Sequence, residues 1–571
     1  MLRRIRLSVA LVLLFALVFG ASSVESAAKF KWEDWGPHVD TIIMPIVKDS
    51  EARRIAFERG ESIVFPGLTR PADIDKLKGS SNVELTQVLG FHMFYVCFNM
   101  RKAPLDSQVL RQAIAYVTDR DNIIRTLFKG YMLPMTSFVP QSSNYYKSDV
   151  PTYPYNPAKA KELLDKAGYK LDATGKNRID PKTGKPLPEI KFFTPTYEVA
   201  PTSAEIGRMI AEAAQAIGIP IVPEPMDFPV MLDKLDRSEF DMYALAWGLD
   251  RDPTFLYDFF HSSFDVEAGY NRPGIHNAEL DKATEALFYA VDQKGAKTAA
   301  DKAQAILAEQ MPYVPLYSRP YIDAWRTDLV TGYVPQPGFG AAESSNYWTP
   351  LNIRRVDRTG KPIEGGTIRW LLQEEPKNLN PLVMSSAYEF DVYRKITDSL
   401  IRMHPETLED MPWIARKWDV GTWNPEPGKK GTVITFYLNK GVKWQDGVEF
   451  TAEDVKFSID YAKEQQVARL LSATQDIVKT EIVDKYTVKV YFSTESYWHL
   501  YNASPILIPK HIWKDVKDYK TFEPWKEPHP KVKGLTKLIG LGPFMLKDYR
   551  PGEYVTLVKN PNYWHIKPTA K

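Results

Sequence analysis

The sequence predicts an α/β fold that is divided among several domains. The chain has 571 residues, and at about 100 to 200 residues per domain this length corresponds to about three domains with sizeable cores. Hydrophobic residues make up 44% and charged residues 25% of the chain, which excludes a disordered or collagen-like protein. Between residues 191 and 246, strand-like and helix-like segments alternate. This alternation predicts a layered α/β domain with a largely parallel sheet.

Charge and cysteine content exclude several classes of function. The 73 Lys and Arg residues nearly balance the 71 Asp and Glu residues, for a formal net charge of +2, whereas a nucleic-acid binder needs a concentrated basic face. The single cysteine, Cys97, excludes an internal disulfide framework and a cysteine-based zinc site. The nine histidines form no His-Glu-x-x-His motif, so we expect no metal site and no cofactor. The 14 Trp, 30 Tyr and 27 Phe residues suit both a binding cleft and ordinary cores.

The N-terminal segment has the features of an export signal. Arg3, Arg4 and Arg6 precede an apolar run over residues 7–20, and small residues follow through Ala28. This order of basic, apolar and small residues predicts a secretory signal peptide over 1–28, which is removed on export. A retained membrane anchor is the alternative, but the apolar run is short for a bilayer span. We therefore expect a periplasmic or otherwise extracytoplasmic protein.

Two helices are predicted before the alternating segment. The first covers 106–130, with apolar residues at three- and four-residue spacing, Asp106 as its N-cap and Gly130 as its stop. The second begins at Asn156-Pro157 and ends at Gly168, with the cap, the first-turn proline and the terminal glycine in their preferred places.

The alternating segment comprises three strands and two helices. They are strand 191–194, helix 203–217, strand 219–222, helix 229–235 and strand 241–246. In such sheets ligands bind beyond the carboxyl ends of the strands. Residues 247–250 follow the last strand and are therefore candidates for a binding site.

The second half of the chain has a different pattern of predicted strands and helices. Residues 356–366 are rich in charges, Pro and Gly and predict an exposed linker. After it come strands at 367–372 and 432–438, a helix that starts at a capping-box-like sequence at 451–454, and a hairpin over 482–492 that turns at 484–485. This half is therefore α+β.

Short motifs throughout the chain resemble those of one family, the family 5 extracellular solute-binding proteins. In the second half they are 365–369 (GGTIR), 379–381 (LNP), 441–455 (GVKWQDGVEFTAEDV), 508–511 (IPKH), 540–544 (GLGPF) and 560–564 (NPNYW). In the first half they are 98–99 (FN), 111–114 (RQAI), 119–120 (DR), 155–157 (YNP), 167–169 (AGY) and 247–253 (WGLDRDP). The resemblance implies a two-lobed periplasmic-binding-protein-like fold of type II, with an extra small domain and a hinge of two crossings. It also implies a receptor that delivers a ligand to an ABC importer.

The motifs stand in an unusual order, because the segment that comes later in this family comes first here. A circular permutation explains this order if the family's usual ends are joined through 356–366. The alternative is a gene-level artefact that fuses the tail of one receptor to the head of another. Permutation is tolerated at surface loops where chain ends are neighbours, so it predicts that residues near Lys29 and Lys571 lie together.

The resemblance also implies a division of the chain into segments. Lobe I would consist of 29–98, 326–355, 367–401 and 540–571; lobe II, an α/β domain, of 99–325; and the small domain of lobe I, of 402–539. The chain would cross between the lobes near Cys97 and near Trp325.

Four residues are the candidate ligand-binding set. The family's peptide binders use an Asp three positions after a Trp to pair with the ligand's α-amino group, and Trp247 and Asp250 preserve that spacing. Asp250 could instead cap a turn, or be neutralised by Arg251, and Trp247 could be an ordinary core residue. Tyr388 and Glu389 correspond to cleft residues of the other lobe, with surface exposure as the alternative for Glu389.

Three functions remain open. The first is a monomeric receptor that closes two lobes on a peptide or, as runner-up, an oligosaccharide, and that partners an ABC permease. The second is an exported hydrolase, which the absence of a Gly-x-Ser-x-Gly motif and the apolar surroundings of Cys97 disfavour, although two carboxylates could act as glycosidase catalysts without any motif. The third is a sensor or scaffold module that keeps the fold.

Overall fold

The computed structural model describes residues 32–565. The predicted signal peptide over 1–28 lies outside the described residues. Among the helices of the described part, none is long and apolar enough to cross a bilayer.

The strands, in chain order, are β1 (Thr41–Pro45), β2 (Val64–Phe65), β3 (Val83–Leu89), β4 (His92–Phe98), β5 (Leu133–Pro134), β6 (Ile190–Pro195), β7 (Ile221–Met226), β8 (Met242–Gly248), β9 (Tyr313–Ser318), β10 (Pro320–Arg326), β11 (Val330–Thr331), β12 (Arg354–Val356), β13 (Pro362–Ile363), β14 (Thr367–Arg369), β15 (Ile401–Met403), β16 (Asp410–Pro412), β17 (Ala415–Trp423), β18 (Gly431–Leu438), β19 (Ile477–Asp484), β20 (Thr487–Phe492), β21 (Phe544–Arg550) and β22 (Tyr554–Lys559).

The helices are α1 (Ser50–Glu58), α2 (Pro71–Lys78), α3 (Gln108–Val117), α4 (Arg120–Phe128), α5 (Pro157–Lys166), α6 (Pro201–Gln215), α7 (Phe228–Asp236), α8 (Phe255–Phe260), α9 (Ala278–Phe288), α10 (Gln293–Gln310), α11 (Trp348–Asn352), α12 (Ala387–Ile396), α13 (Ala452–Glu464), α14 (Leu471–Thr474), α15 (His499–Asn502) and α16 (Lys510–Trp513).

A six-stranded sheet with the order β5-β9-β4-β8-β6-β7 forms the α/β lobe, lobe II. The five alternating elements predicted from sequence are all present as β6, α6, β7, α7 and β8. The sheet is mixed rather than largely parallel: β6 runs parallel to β7 and β8, but β4 is antiparallel to both β8 and β9. The two strands that make this difference lie outside the alternating segment, so the local pattern contained no information about their direction.

Local capping explains where the first helices begin. The Leu110 N–H donates to Ser107 Oγ, so Ser107 rather than the predicted Asp106 is the N-cap of α3. Asp119 caps α4 and divides the predicted helix 106–130 into two. Asn156 caps α5 by accepting from the Lys159 N–H, as the sequence predicted.

Lobe I is assembled from distant parts of the chain. Its four-stranded sheet has the order β14-β1-β22-β21, so β1 from the start of the described chain lies between β14 from the middle and β22 from the end. β1 pairs in parallel with β14 and antiparallel with β22. Both ends of the described chain meet at this sheet, since the Gly36 N–H donates to the His565 carbonyl at 3.3 Å.

The small domain is an antiparallel sheet covered by one main helix. Its strands have the order β17-β18-β20-β19, and the predicted hairpin over 482–492 is the β19–β20 pair. α13 begins at a reciprocal capping box between Thr451 and Asp454. Its apolar face joins a core that extends into lobe I and includes Trp348 and Trp444.

Two crossings connect lobe II to lobe I. β4, which contains Cys97, lies inside the six-stranded sheet, and β10, which contains Trp325, pairs with β2 and β3 in a three-stranded sheet. The crossings are therefore the β3–β4 turn at Gly90 and the β9–β10 junction at Arg319. These changes of sheet lie several residues before Cys97 and Trp325, and the division of the chain into lobes with a hinge at these crossings stays a prediction.

Candidate functional site

A cavity of about 880 Å³ lies between the lobes. Lobe II contributes the end of β8 and the loop that follows it, lobe I contributes α12, and the small domain contributes residues around α14 and α15. Three of the four predicted site residues line this cavity: Trp247, Asp250 and Tyr388. A cavity of this size at a lobe interface is typical of small-molecule binding sites.

Asp250 presents a carboxylate to the cavity without a cationic partner. Its Oδ1 accepts the N–H of Arg251 at 2.7 Å, and the hydroxyl of Tyr501 lies 3.5 Å from its Oδ2. Within residues 32–565, no side-chain nitrogen of Lys or Arg approaches the Asp250 carboxylate to 4.0 Å. Burial raises the pKa of Asp250, and the Arg251 N–H and the charges of Arg251 and Arg394 oppose that rise.

The side chain of Arg251 turns away from Asp250. Its Nε contacts Asp252 Oδ2 at 3.1 Å, its Nη2 donates to Asp410 Oδ1 at 2.7 Å, and its Nη1 donates to the carbonyl of Leu408. Arg251 therefore ties lobe II to the small domain and does not form an ion pair with Asp250.

Trp247 is the second-to-last residue of β8 and not, as predicted, a residue after the strand. Its ring stacks on Phe259 at a centroid distance of 4.7 Å, and the Arg272 guanidinium lies 5.4 Å from its centroid. Its Nε1 is buried and has no hydrogen-bond partner. Trp247 thus packs against the core of lobe II and also borders the cavity.

Tyr388 and Glu389 are neighbours on α12 but have different roles. The Tyr388 ring meets Phe228 of lobe II edge to face at 5.8 Å, so Tyr388 contacts both lobes at the cavity. Glu389 is buried and accepts the N–H groups of Asn378, Ser385 and Ser386, each at 2.9 Å. This carboxylate completes the capping box of α12. The exposed position predicted as the alternative for Glu389 is therefore wrong, and the residue is not among those that line the cavity.

Sequence reasoning missed Arg394, a cation of the lobe I wall. Its Nη1 donates to Ser345 Oγ at 2.7 Å, and its guanidinium lies 5.0 Å from the Phe390 ring centroid. Among the described residues, no carboxylate oxygen lies within 4.0 Å of it. Arg394 is two turns of α12 beyond the helix start, and its facing toward the cavity depends on how α12 packs.

The wall beside Arg394 is held by Asp323, another residue that the sequence did not indicate. Asp323 is fully buried in β10. Its Oδ1 accepts the Gly67 N–H at 3.0 Å, and its Oδ2 accepts the N–H groups of Ala341 and Ala342 at 3.1 and 3.0 Å. These bonds fix the segment that leads into the cavity-lining residues 342–345.

One group of side chains outside the cavity has the spacing of a metal site. Ligand atoms of Asp446, His511 and His529 lie within 4.8 Å of one another, although they are far apart in sequence. His529 Nδ1 accepts the N–H groups of Lys531 and Val532, which assigns the ring proton to Nε2. That nitrogen therefore donates to Asp446 Oδ2 at 3.1 Å and is not free to bind a metal. We interpret the group as a hydrogen-bonded structural cluster.

Comparison with known proteins gives consistent matches. The family model described as "Bacterial extracellular solute-binding proteins, family 5 Middle" matches residues 23–266 and 410–571. The oligopeptide-binding protein AppA of Bacillus subtilis (strain 168) is 27% identical over 288 residues, which cover 49% of this chain and 51% of AppA. The probable di/tripeptide-binding protein 5 of Pseudomonas aeruginosa (strain UCBPP-PA14) is 26% identical over 313 residues, covering 54% of this chain and 55% of that protein. The chain thus spans about half the length of these curated relatives.

Solved structures match over a similar extent. The structure of Bacillus subtilis AppA in complex with a nonapeptide is 22% identical, with a TM-score of 0.47 over 53% of this chain and 62% of that chain.

Proposed function

The chain belongs to the family 5 bacterial extracellular solute-binding proteins, since that family's model matches well over half of its residues, and from this membership we propose that it captures a peptide between its two lobes and delivers it to the permease of an ABC importer. The fold agrees with this membership: an α/β lobe and a second lobe with a small domain enclose a cavity, and two crossings form the hinge. The rest of the proposal rests on the chemistry of the cavity.

The unpaired carboxylate of Asp250 is the observation that carries the proposal. Withdrawing a carboxylate partly from water without a cation is costly, and a peptide's α-ammonium group offsets that cost by forming a charge-assisted pair. The backbone N–H of Arg251 and the nearby hydroxyl of Tyr501 hold the carboxylate in place. Asp250 is thus the group that binds the peptide's amine, and Arg251 supports it by bonding lobe II to Leu408 and Asp410 of the small domain.

Arg394 is suited to the other end of a peptide. Its guanidinium has no carboxylate partner among the described residues, and it is close enough to Asp250 to lower that group's pKa. A cavity with an unpaired anion at Asp250 on lobe II and an unpaired cation at Arg394 on lobe I favours a zwitterion that draws the lobes together. Trp247 and Tyr388 supply aromatic surface to the same cavity.

Isothermal titration calorimetry with trialanine, N-acetyl-trialanine and trialanine amide tests the proposal. We expect trialanine to bind, and acetylation to weaken binding at least tenfold because it removes the ammonium charge. Asp250→Asn should weaken trialanine binding by a similar factor, and Arg394→Gln should abolish the difference between the acid and the amide. Asp149→Asn, which changes an exposed carboxylate paired only with Lys147, is the matched control. Equal affinity of Asp250→Asn and the parent protein for trialanine would refute the amine anchor.

Oligosaccharide is the second candidate ligand, because sugar recognition uses aromatic faces such as those of Trp247 and Tyr388. Thermal denaturation with malto- and cello-oligosaccharides separates the two. A ligand at about 100 times its Kd stabilises the folded state by about 2.7 kcal/mol, so the true ligand class raises the melting temperature clearly. We propose binding without turnover, and the appearance of cleaved product in these mixtures would favour the hydrolase alternative.

The proposed location is the periplasm or another extracytoplasmic compartment, reached through the signal peptide over 1–28. The proposed working form is a monomer that docks on the permease when closed. Size-exclusion chromatography with light scattering, with and without ligand, tests the monomer.

A circular permutation remains our proposal for the order of the motifs. Two observations support it: the described chain ends meet, with His565 Nε2 3.6 Å from Asp34 Oδ2, and the family model leaves unmatched the internal residues 267–409, which contain the linker. That linker is an exposed hairpin between β12 and β13. The alternative, a join between parts of two receptors, predicts poor packing between β1 and β22, whereas these strands pair over five residues.

A further inference from the structure

We propose that Asp258 forms a side-chain subsite in the interlobe cavity that selects peptides with a basic residue, lysine or arginine. This inference rests on the proposed peptide-binding function and adds to it a preference for one ligand chemistry. Asp258 lies on α8, just beyond the loop that carries Asp250, and it lines the same cavity.

The carboxylate of Asp258 has no cationic partner among the described residues, and one of its two oxygens has no hydrogen-bond donor. Its Oδ1 is buried and has no hydrogen-bond partner, while Ser472 of α14 provides a hydrogen bond from the small domain. Burial raises the pKa of Asp258 to about 6. Its side chain neither caps a helix nor accepts a backbone N–H in the described structure, so no structural role accounts for the buried charge.

The two arginines that lie over Trp247 and Tyr270 are committed elsewhere. Arg272 pairs with Asp236 at 2.9 Å and Arg469 pairs with the same carboxylate at 3.1 Å. Their guanidinium groups cover Trp247 and Tyr270, at 5.4 and 4.9 Å from the ring centroids. Over residues 32–565, no Lys or Arg nitrogen comes within 4.0 Å of the Asp258 carboxylate.

The walls around Asp258 suit a long basic side chain. Phe255, Phe259 and Leu470 border the cavity beside it, and such apolar surface packs well against the methylene stem of lysine or arginine. The charged end then meets a carboxylate that has an unused, buried acceptor. A neutral side chain of the same length fills the same space but leaves that acceptor unpaired.

The test compares peptides that differ in one charge. Ala-Lys-Ala is paired with Ala-norleucine-Ala, and the same exchange is made at the first and third positions. Affinities are measured by calorimetry at pH 8 for the parent protein, for Asp258→Asn, and for Asp149→Asn as the control. We expect lysine to be preferred over norleucine by about tenfold at one position in the parent and the control. In Asp258→Asn that preference should fall to within about twofold, with the norleucine affinity unchanged.

Each outcome decides the question. A parent protein that binds the norleucine peptides with no lysine preference at any position overturns the subsite and leaves the peptide-binding function standing. A lysine preference that persists in Asp258→Asn, or in Asp258→Ser if the first variant folds poorly, also overturns it. A parent protein that binds none of these peptides refutes the proposed function itself.

Discussion

Replacing Asp323 tests how the cavity wall of lobe I is held. The Asp323 carboxylate is fully buried and accepts three backbone N–H groups, from Gly67, Ala341 and Ala342. These bonds join β10 to the segment between β11 and α11 on one side and to the segment after β2 on the other. Burial raises the pKa of this group and the three N–H groups oppose the rise, so the bonds are formed best by the ionised carboxylate.

The structure predicts a smaller loss of folding stability for Asp323→Asn than for Asp323→Ala. Hydrogen bonds to a charged group contribute about 1.5–3 kcal/mol each. Asp323→Asn keeps one oxygen and turns an NH₂ group toward a backbone donor, so we expect the free energy of unfolding to fall by about 2–3 kcal/mol. Asp323→Ala leaves three buried N–H groups unpaired and should cost about 4–6 kcal/mol by the same reasoning.

Urea denaturation followed by tryptophan fluorescence measures both losses, and calorimetry with trialanine reports the effect on the cavity. Asp149→Asn is the control, because Asp149 is an exposed carboxylate that pairs at the surface with Lys147. An Asp323→Asn variant that is as stable as the parent within 0.5 kcal/mol would refute the reasoning, since it would mean that the ionised carboxylate contributes nothing here.

Three further predictions concern other buried contacts. Glu389→Gln should lower the free energy of unfolding by about 2 kcal/mol, because one of three backbone N–H groups loses its acceptor. The Kd for trialanine should stay within twofold of the parent value. A loss of affinity at unchanged stability would instead support the cleft role of Glu389. Trp498 is buried against lobe II and its Nε1 donates to the Leu287 carbonyl at 2.9 Å. In urea denaturation, Trp498→Ala should lower the free energy of unfolding by about 3–5 kcal/mol and Trp498→Phe by only about 1–2 kcal/mol. Equal losses in the two variants would contradict the packing argument. Asp258→Asn should become more stable relative to the parent as the pH rises from 4 to 6, because the folded-state pKa of Asp258 is raised to about 6. Ionising this carboxyl in the folded parent costs up to about 3 kcal/mol, a cost that the neutral amide does not have. If the difference in free energy of unfolding between variant and parent is the same at pH 4 and pH 8, the prediction is refuted.

Much of the fold could be predicted from the sequence, because it depends on local chemistry. Asn156 ahead of a proline marked the start of α5, and the capping box at Thr451 marked the start of α13. The error in sheet direction came from β4, whose neighbours β8 and β9 lie about 150 and 220 residues later in the chain. No local pattern encodes such a pairing.

The candidate site was predicted only in part. The spacing of Trp247 and Asp250 located one wall of the cavity, and the family resemblance that singled out Tyr388 located the other. The sequence could not indicate that Arg251 reaches Asp410 and leaves Asp250 unpaired, because that depends on the small domain packing against lobe II. It equally could not separate Tyr388 from Glu389, since one residue step on a helix turns a side chain from the cavity into the capping network.

The sequence by itself determined the family, the helix starts and the residue types near the end of β8. Only the tertiary structure decided which charges remain unpaired at the cavity, Asp250, Asp258 and Arg394 among them. The physical reason is that the cost of a buried charge depends on every group within a few ångströms of it, and at a junction of two lobes and a small domain those groups come from segments that are distant in the chain.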